Sequence, residues 1–138
     1  MSLTYSVAFR GVEACPVEVQ CSLAPGLPGF SIVGLPDKAV SEAKERVRAA
    51  LASMAIAFPS KKVTINLSPA DLPKEGSHFD LPIAVSLLAA LDLIPHDVTQ
   101  SLISLGELSL DGKLVPVTGA LPAAMTAAEE EFMLLCPK

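Results

Sequence analysis

Leu3, Tyr5, Val7 and Phe9 alternate with smaller or more polar neighbours, and Val17, Val19, Cys21 and Leu23 alternate with Glu18, Gln20 and Ser22. A period of two predicts half-buried strands, with the apolar set turned inward. Arg10-Gly11 between them predicts a hairpin. The stretch PGLPG, residues 25–29, reads as a turn into a third strand, FSIVGL. At Pro36-Asp37 the period changes. Val40, Ala43, Val47, Ala50, Leu51 and Met54 recur at helical spacing, Asp37 suits the N-cap, and Glu42, Lys44, Glu45 and Arg46 fall on the other face. Pro59 closes that segment. Val63, Ile65 and Leu67 mark a fourth strand, and PADLPKEGSH is a loop rich in helix breakers.

A second helix is expected from Asp80 to about Leu93, with Pro82 tolerated in its first turn. It is apolar on nearly every side, which places it centrally and under cover. LISLGEL reads as a strand. LSLDGKLVPV reads as a hairpin turning at Asp111-Gly112, the strongest two-residue turn signal. Leu121, Ala124, Met125 and Ala128 mark a third helix, and FMLLC a last strand. The order β-β-β-α-β-α-β-β-α-β predicts one α/β domain over residues 1–138, with a mixed sheet. The chain stops one residue past Pro137, directly after an apolar strand, so it is expected to be an excised N-terminal piece of a longer protein.

Composition adds to this. Hydrophobic residues make up 51% and charged ones 18%, against about a quarter charged in ordinary soluble domains. Mean hydropathy is +0.50. A domain so poor in charge is expected to have a covered face. The net charge of -5 argues against a general nucleic-acid glove. The run LPIAVSLLAAL is shorter than the roughly 20 residues that span a bilayer, and no signal peptide is visible, so a cytoplasmic setting without membrane contact is expected. Cys15 and Cys21 would stand roughly 20 Å apart on one strand, too far for a disulfide. With Cys136 they read as small buried hydrophobes, without metal-ligand spacing.

Three features invite chemistry. Ser77, His78 and Asp80 crowd into four positions, but a catalytic triad needs its members hydrogen-bonded in series, and neighbours in a loop normally diverge. Asp80 instead suits the helix N-cap, and His78 a surface loop. Gly26, Gly29 and Gly34 lie in a turn-strand-turn pattern with no Gly-Lys-Ser/Thr after them, so no phosphate cradle is expected. Lys38, Lys44, Arg46 and Arg48, with Lys61 and Lys62, form the basic concentration, and Lys44, Arg46, Arg48, Lys61 and Lys62 are its candidate contacts. They read as a solvated face laced with ion pairs, or as a contact surface for nucleic acid or a partner.

Together, IVGLPDKAVSEAKERVRAAL, VTINLSPADLPKEGSHFDLPIAVSLLAAL and LGELSLDGKLVPVTGALPAA resemble the N-terminal domain of the magnesium-chelatase-like AAA+ ATPases, a family that includes a bacterial competence protein. The last two also resemble, more distantly, the Lon proteolytic domain and the RadA C-terminal domain. The resemblance implies the fold of a ribosomal-protein second domain. That is a mixed sheet with helices mainly on one side and a left-handed βαβ crossover. Lon peptidases use a serine–lysine dyad. Lys74-Glu75-Gly76 matches the run-up to that serine, but His78 stands in its place, with Ser77 one position early. Gly119 matches a glycine before the lysine, and Leu121 takes the lysine's place. Leucine carries no proton, so the resemblance implies a Lon-like fold without its chemistry.

The role implied by this resemblance is a non-catalytic accessory or assembly domain on a ring-forming, DNA-processing AAA+ motor that serves branch migration and competence. This chain itself is expected to hold no cofactor; ATP and magnesium would bind further along the parent. The expected partners are the AAA+ module, further copies in a hexameric ring, and DNA. The alternatives are a Lon-type peptidase with a displaced dyad, and a magnesium-chelatase ATPase subunit.

Overall fold

A computed structural model describes residues 1–10, 13–117, 120–129 and 132–136. β1 (Ser2–Arg10) and β2 (Glu13–Ala24) pair antiparallel from Ser2↔Cys21 to Arg10↔Glu13. Their connecting turn, expected at Arg10-Gly11, lies outside the described residues. β3 (Gly29–Val33) leads to α1 (Lys38–Ser41) and α2 (Ala43–Ser53), and then to β4 (Lys62–Ser68). β5 (Leu102–Ser104) and β8 (Met133–Leu135) complete a six-stranded mixed sheet in the order β3-β4-β2-β1-β5-β8. The expected mixed-sheet α/β class is therefore found.

Asp37 caps α1 as expected, its Oδ1 accepting the Val40 amide at 2.8 Å. The single helix expected there is divided at Glu42. The anticipated stripe holds through Leu51: Val40, Ala43, Val47, Ala50 and Leu51 are buried with Val17, Val19, Cys21, Val63, Ile65 and Leu67. Met54, expected to end it, is exposed just past α2. α3 (Asp80–Ala90), preceded by a 3-10 turn at Ser77–Phe79, adds to the same core. A short α4 (His96–Thr99), not foreseen, comes after it.

β1 departs from the alternation rule. Ser2, Thr4 and Ser6 are its most deeply enclosed positions beside Val7 and Ala8, and their hydroxyls donate to the carbonyls of Ser86, Leu102 and Ser104. These small side chains face the main core. Tyr5, Val7 and Phe9 face the opposite side, where a second cluster joins Ile103, Leu105, Ala123 and Ala127 of β5 and α5 (Ala120–Glu129). Both faces of β1 are covered, and alternation finds the inside only when one face is wet.

LISLGEL does not remain one strand. After β5 the chain leaves the main sheet for a separate ribbon of β6 (Glu107–Leu108) and β7 (Leu114–Val115). Its Asp-Gly is not a two-residue turn. The Ser109 amide donates to the Lys113 carbonyl at 2.9 Å, closing a loop of Leu110, Asp111 and Gly112, with Gly112 at φ +88°. That is the three-residue hairpin in which glycine takes the left-handed position. Cys21 is enclosed, and burial pushes its thiol up to about 12. Cys15 and Cys136, expected to be buried as well, are only half-buried.

Candidate functional site

The loop between β4 and α3 is held by main-chain bonds to the segment after β3. The Asp37 amide donates to the Lys74 carbonyl at 2.9 Å, and the Lys74 amide to the Leu35 carbonyl at 3.1 Å. Asp37 adds its second carboxylate oxygen to the Gly76 amide at 3.2 Å. Beside this loop, near the facing ends of β1 and β2 and the end of β7, opens a cleft of about 1180 Å³. Arg10, Asp37, Asp71, Glu75, Ser77 and His78 supply its polar lining, and Phe9, Leu72 and Val117 part of its apolar lining.

Asp80 is not the helix cap expected of it. Phe79 holds the N-cap position of α3, and no side chain caps it. The Asp80 carboxylate is fully buried and accepts from Arg46 Nε at 2.6 Å, Arg46 Nη2 at 3.1 Å and the Leu108 amide at 3.0 Å. Burial pushes the Asp80 carboxyl up, with Arg46 and the Leu108 amide pulling back, while the bond to Asp80 holds Arg46 more firmly protonated. The pair ties α2, α3 and the β6–β7 ribbon together. It also removes Arg46 from the basic contact surface, since its guanidinium turns inward to Asp80 and the Ala39 carbonyl. A buried carboxylate attracts the nearest fork-shaped donor, and sequence spacing says nothing about one 34 residues away.

His78 is likewise not a surface residue. It is 6% exposed, packed against Phe9 and Phe79, and its Nε2 lies 2.7 Å from the Val7 carbonyl. A carbonyl only accepts, so Nε2 carries the proton and Nδ1 is left as an acceptor. Burial pushes its pKa down, opposed by the Val7 bond and Asp37. Lys74, which no periodic pattern marks, is fully buried. Its ammonium donates to the Pro69 carbonyl, and burial pushes its pKa down against the pull of Asp71. A lysine in a polar loop gives no sign that it will be enclosed.

Serine, lysine and histidine are thus brought to one loop without being brought to one another. Among the described residues, no lysine or histidine nitrogen hydrogen-bonds to the Ser77 hydroxyl. Gly119 lies outside the described residues; Leu121 lies in α5, where its backbone alone is described. Of the basic candidates, Lys44 is half-buried on α2, Arg48 is exposed with its guanidinium 4.4 Å from the Phe58 ring centroid, and Lys61 and Lys62 are exposed at the start of β4. Among the described residues, no three metal-ligating side chains come together, and no helix is long and apolar enough to cross a membrane. Among the described residues, no glycine-rich loop leads into a helix with a lysine beside it, the arrangement that cradles a nucleotide phosphate.

Residues 17–138 match the family described as subunit ChlI of Mg-chelatase. The chain belongs to that family. The ChlI-family chain is 44% identical over its whole length to the competence protein ComM of Haemophilus influenzae and 42% identical to the protein YifB of Escherichia coli. A protein of Mycobacterium bovis is 43% identical over 126 residues, 91% of this chain and 25% of its own length. The chain spans 27% of the length of ComM and YifB.

Proposed function

We propose that this ChlI-family chain acts as a non-catalytic accessory and assembly domain of an AAA+ ATPase, and that its parent is a ring-forming, DNA-processing motor. The observation that carries the first part is that neither candidate base is bonded to Ser77. Lys74 donates to the Pro69 carbonyl, and among the described residues neither Lys74 nor His78 hydrogen-bonds to the Ser77 hydroxyl. The main-chain bonds of Lys74 and the Asp37–Gly76 bond brace the loop, and the buried Asp80–Arg46 pair fixes the helix after it, which suits a rigid docking element. DNA processing rests on the similarity to ComM, whose name ties that relative to competence. ATP and magnesium bind elsewhere in the parent, in the cytoplasm, and this domain contacts the AAA+ module and neighbouring copies. DNA contact, if the parent makes it here, falls to Lys44, Arg48, Lys61 and Lys62, without Arg46.

Full-length parent incubated with casein or fluorogenic peptides is expected to show no turnover that Ser77→Ala abolishes. Serine-dependent turnover would instead establish a displaced-dyad peptidase. Replacing Lys44 and Arg48 with glutamate in the parent is expected to weaken DNA binding at moderate salt. Unchanged affinity would remove DNA contact from this domain.

A further inference from the structure

Charge is divided between the two ends of β4, which rises about 20 Å from Lys62 to Ser68. At its start, Arg48, Lys61 and Lys62 are exposed, and residues 47–62 contain no Asp or Glu. Residues 24–35, which run alongside, contain no charge at all. Beyond its other end lies the cleft, where Asp37, Asp71 and Glu75 share the lining with one described cation, Arg10, and the enclosed Lys74 ammonium also acts on Asp71. The cleft also holds an acceptor. With Nε2 bound to Val7, His78 presents Nδ1, which has no partner among the described residues. Gly76 keeps that nitrogen uncovered: at φ +99° it disfavours any side chain, and a Cβ there would stand 3.0 Å from Nδ1. Both oxygens of Asp37 already accept main-chain amides, but the exposed carboxylates of Asp71 and Glu75, in one cleft with an open acceptor, select a cationic hydrogen-bond donor.

We propose that the acidic cleft of one copy receives the Lys61–Lys62 corner of a second copy, in a head-to-tail contact that rests on the assembly role proposed for the domain. The ammonium groups meet Asp71 and Glu75 at the rim, with His78 Nδ1 in the recess as a further acceptor. A nucleic-acid backbone would explain the basic end but leave the acidic cleft without an occupant; a second copy accounts for both. Because the two surfaces differ and lie at opposite ends of one strand, the contact is heterologous and repeats from copy to copy.

Sedimentation velocity on the purified chain at low salt tests this with charge exchange. One variant carries Asp71→Lys and Glu75→Lys, the other Lys61→Glu and Lys62→Glu; all four positions are exposed, so both should fold, as circular dichroism will check. Wild type is expected to associate with concentration, and less so as salt rises. Each variant alone should associate about tenfold more weakly. The equimolar mixture should recover association, since each cleft then meets a corner of opposite sign. A wild type that stays monomeric at every concentration overturns the proposal, as does a mixture no better than its parts. So does duplex DNA binding lost with Lys61 and Lys62 while no recovery occurs, which would assign the corner to nucleic acid. Serine-dependent turnover by the parent would sink the non-catalytic reading and leave this outcome as it is.

Discussion

Lys62 opens β4 in contact with solvent, whereas Lys74, in the loop after the same strand, is completely enclosed. The same contrast runs through the charges around them. Arg48 and Lys61 lie on the surface, while Asp80 and His78 are almost wholly withdrawn from water. At the exposed end, each charge is screened by solvent and contributes little to folding. At the enclosed end, each polar group must find its partner inside the protein, or its desolvation goes uncompensated. Buried groups therefore fix the geometry of the cleft, and exposed groups are free to serve contacts made by the whole molecule.

The largest expected effect is at Asp80. Asp80→Ala strands the Arg46 guanidinium and the Leu108 amide together and is expected to cost about 3 kcal/mol in urea unfolding. A loss below about 1 kcal/mol would mean that the enclosed end is no more demanding than the exposed one. His78 comes next. Its pKa is depressed by folding, whereas the unfolded ring titrates near 6.5. The unfolded state therefore binds more protons as pH falls through 6.5. The stability contributed by the neutral ring is present above that pH and is lost below it, with a slope of at most about 1.4 kcal/mol per pH unit. His78→Gln should flatten that profile between neutrality and mild acid; a variant with the wild-type slope would assign the loss to other groups.

Lys74→Met sharpens the contrast from the other side. It removes a desolvated ammonium and releases the carbonyl of Pro69, an exposed residue. Thermal melts should shift by no more than the equivalent of about 1 kcal/mol, in either direction. A much larger loss would give the Lys74–Pro69 bond a central part in holding the loop. The smallest effect is expected for Lys61→Ala with Lys62→Ala, within about 0.5 kcal/mol in the same melts.

Much of the architecture was legible from period alone. β2 and β4 alternate as the pattern requires, because one apolar face of each meets the helices. The stripe of α2 and the Asp37 cap were readable because both depend on residues within a turn or two. β1 misled because α5 covers the face that would otherwise be wet. The 107–115 ribbon was found but its turn was not, since the dipeptide signal does not state how many residues the loop closes.

The site itself was located by its loop but not understood from it. Ser77 and His78 both line the cleft while Asp80 does not, and the partners of His78 and Asp80 come from elsewhere. Val7 is 71 residues from His78, and Arg46 is 34 from Asp80. The sequence by itself determined the main order of strands and helices, though not α4 or the breaks at Glu42 and within LISLGEL, together with the apolar faces of α2, β2 and β4 and the enclosure of α3, because these depend on spacing along the chain. Only the tertiary structure decided which polar groups lose their water. Burial is set by what packs across a gap, and a desolvated charge takes whichever donor or acceptor that packing brings within reach.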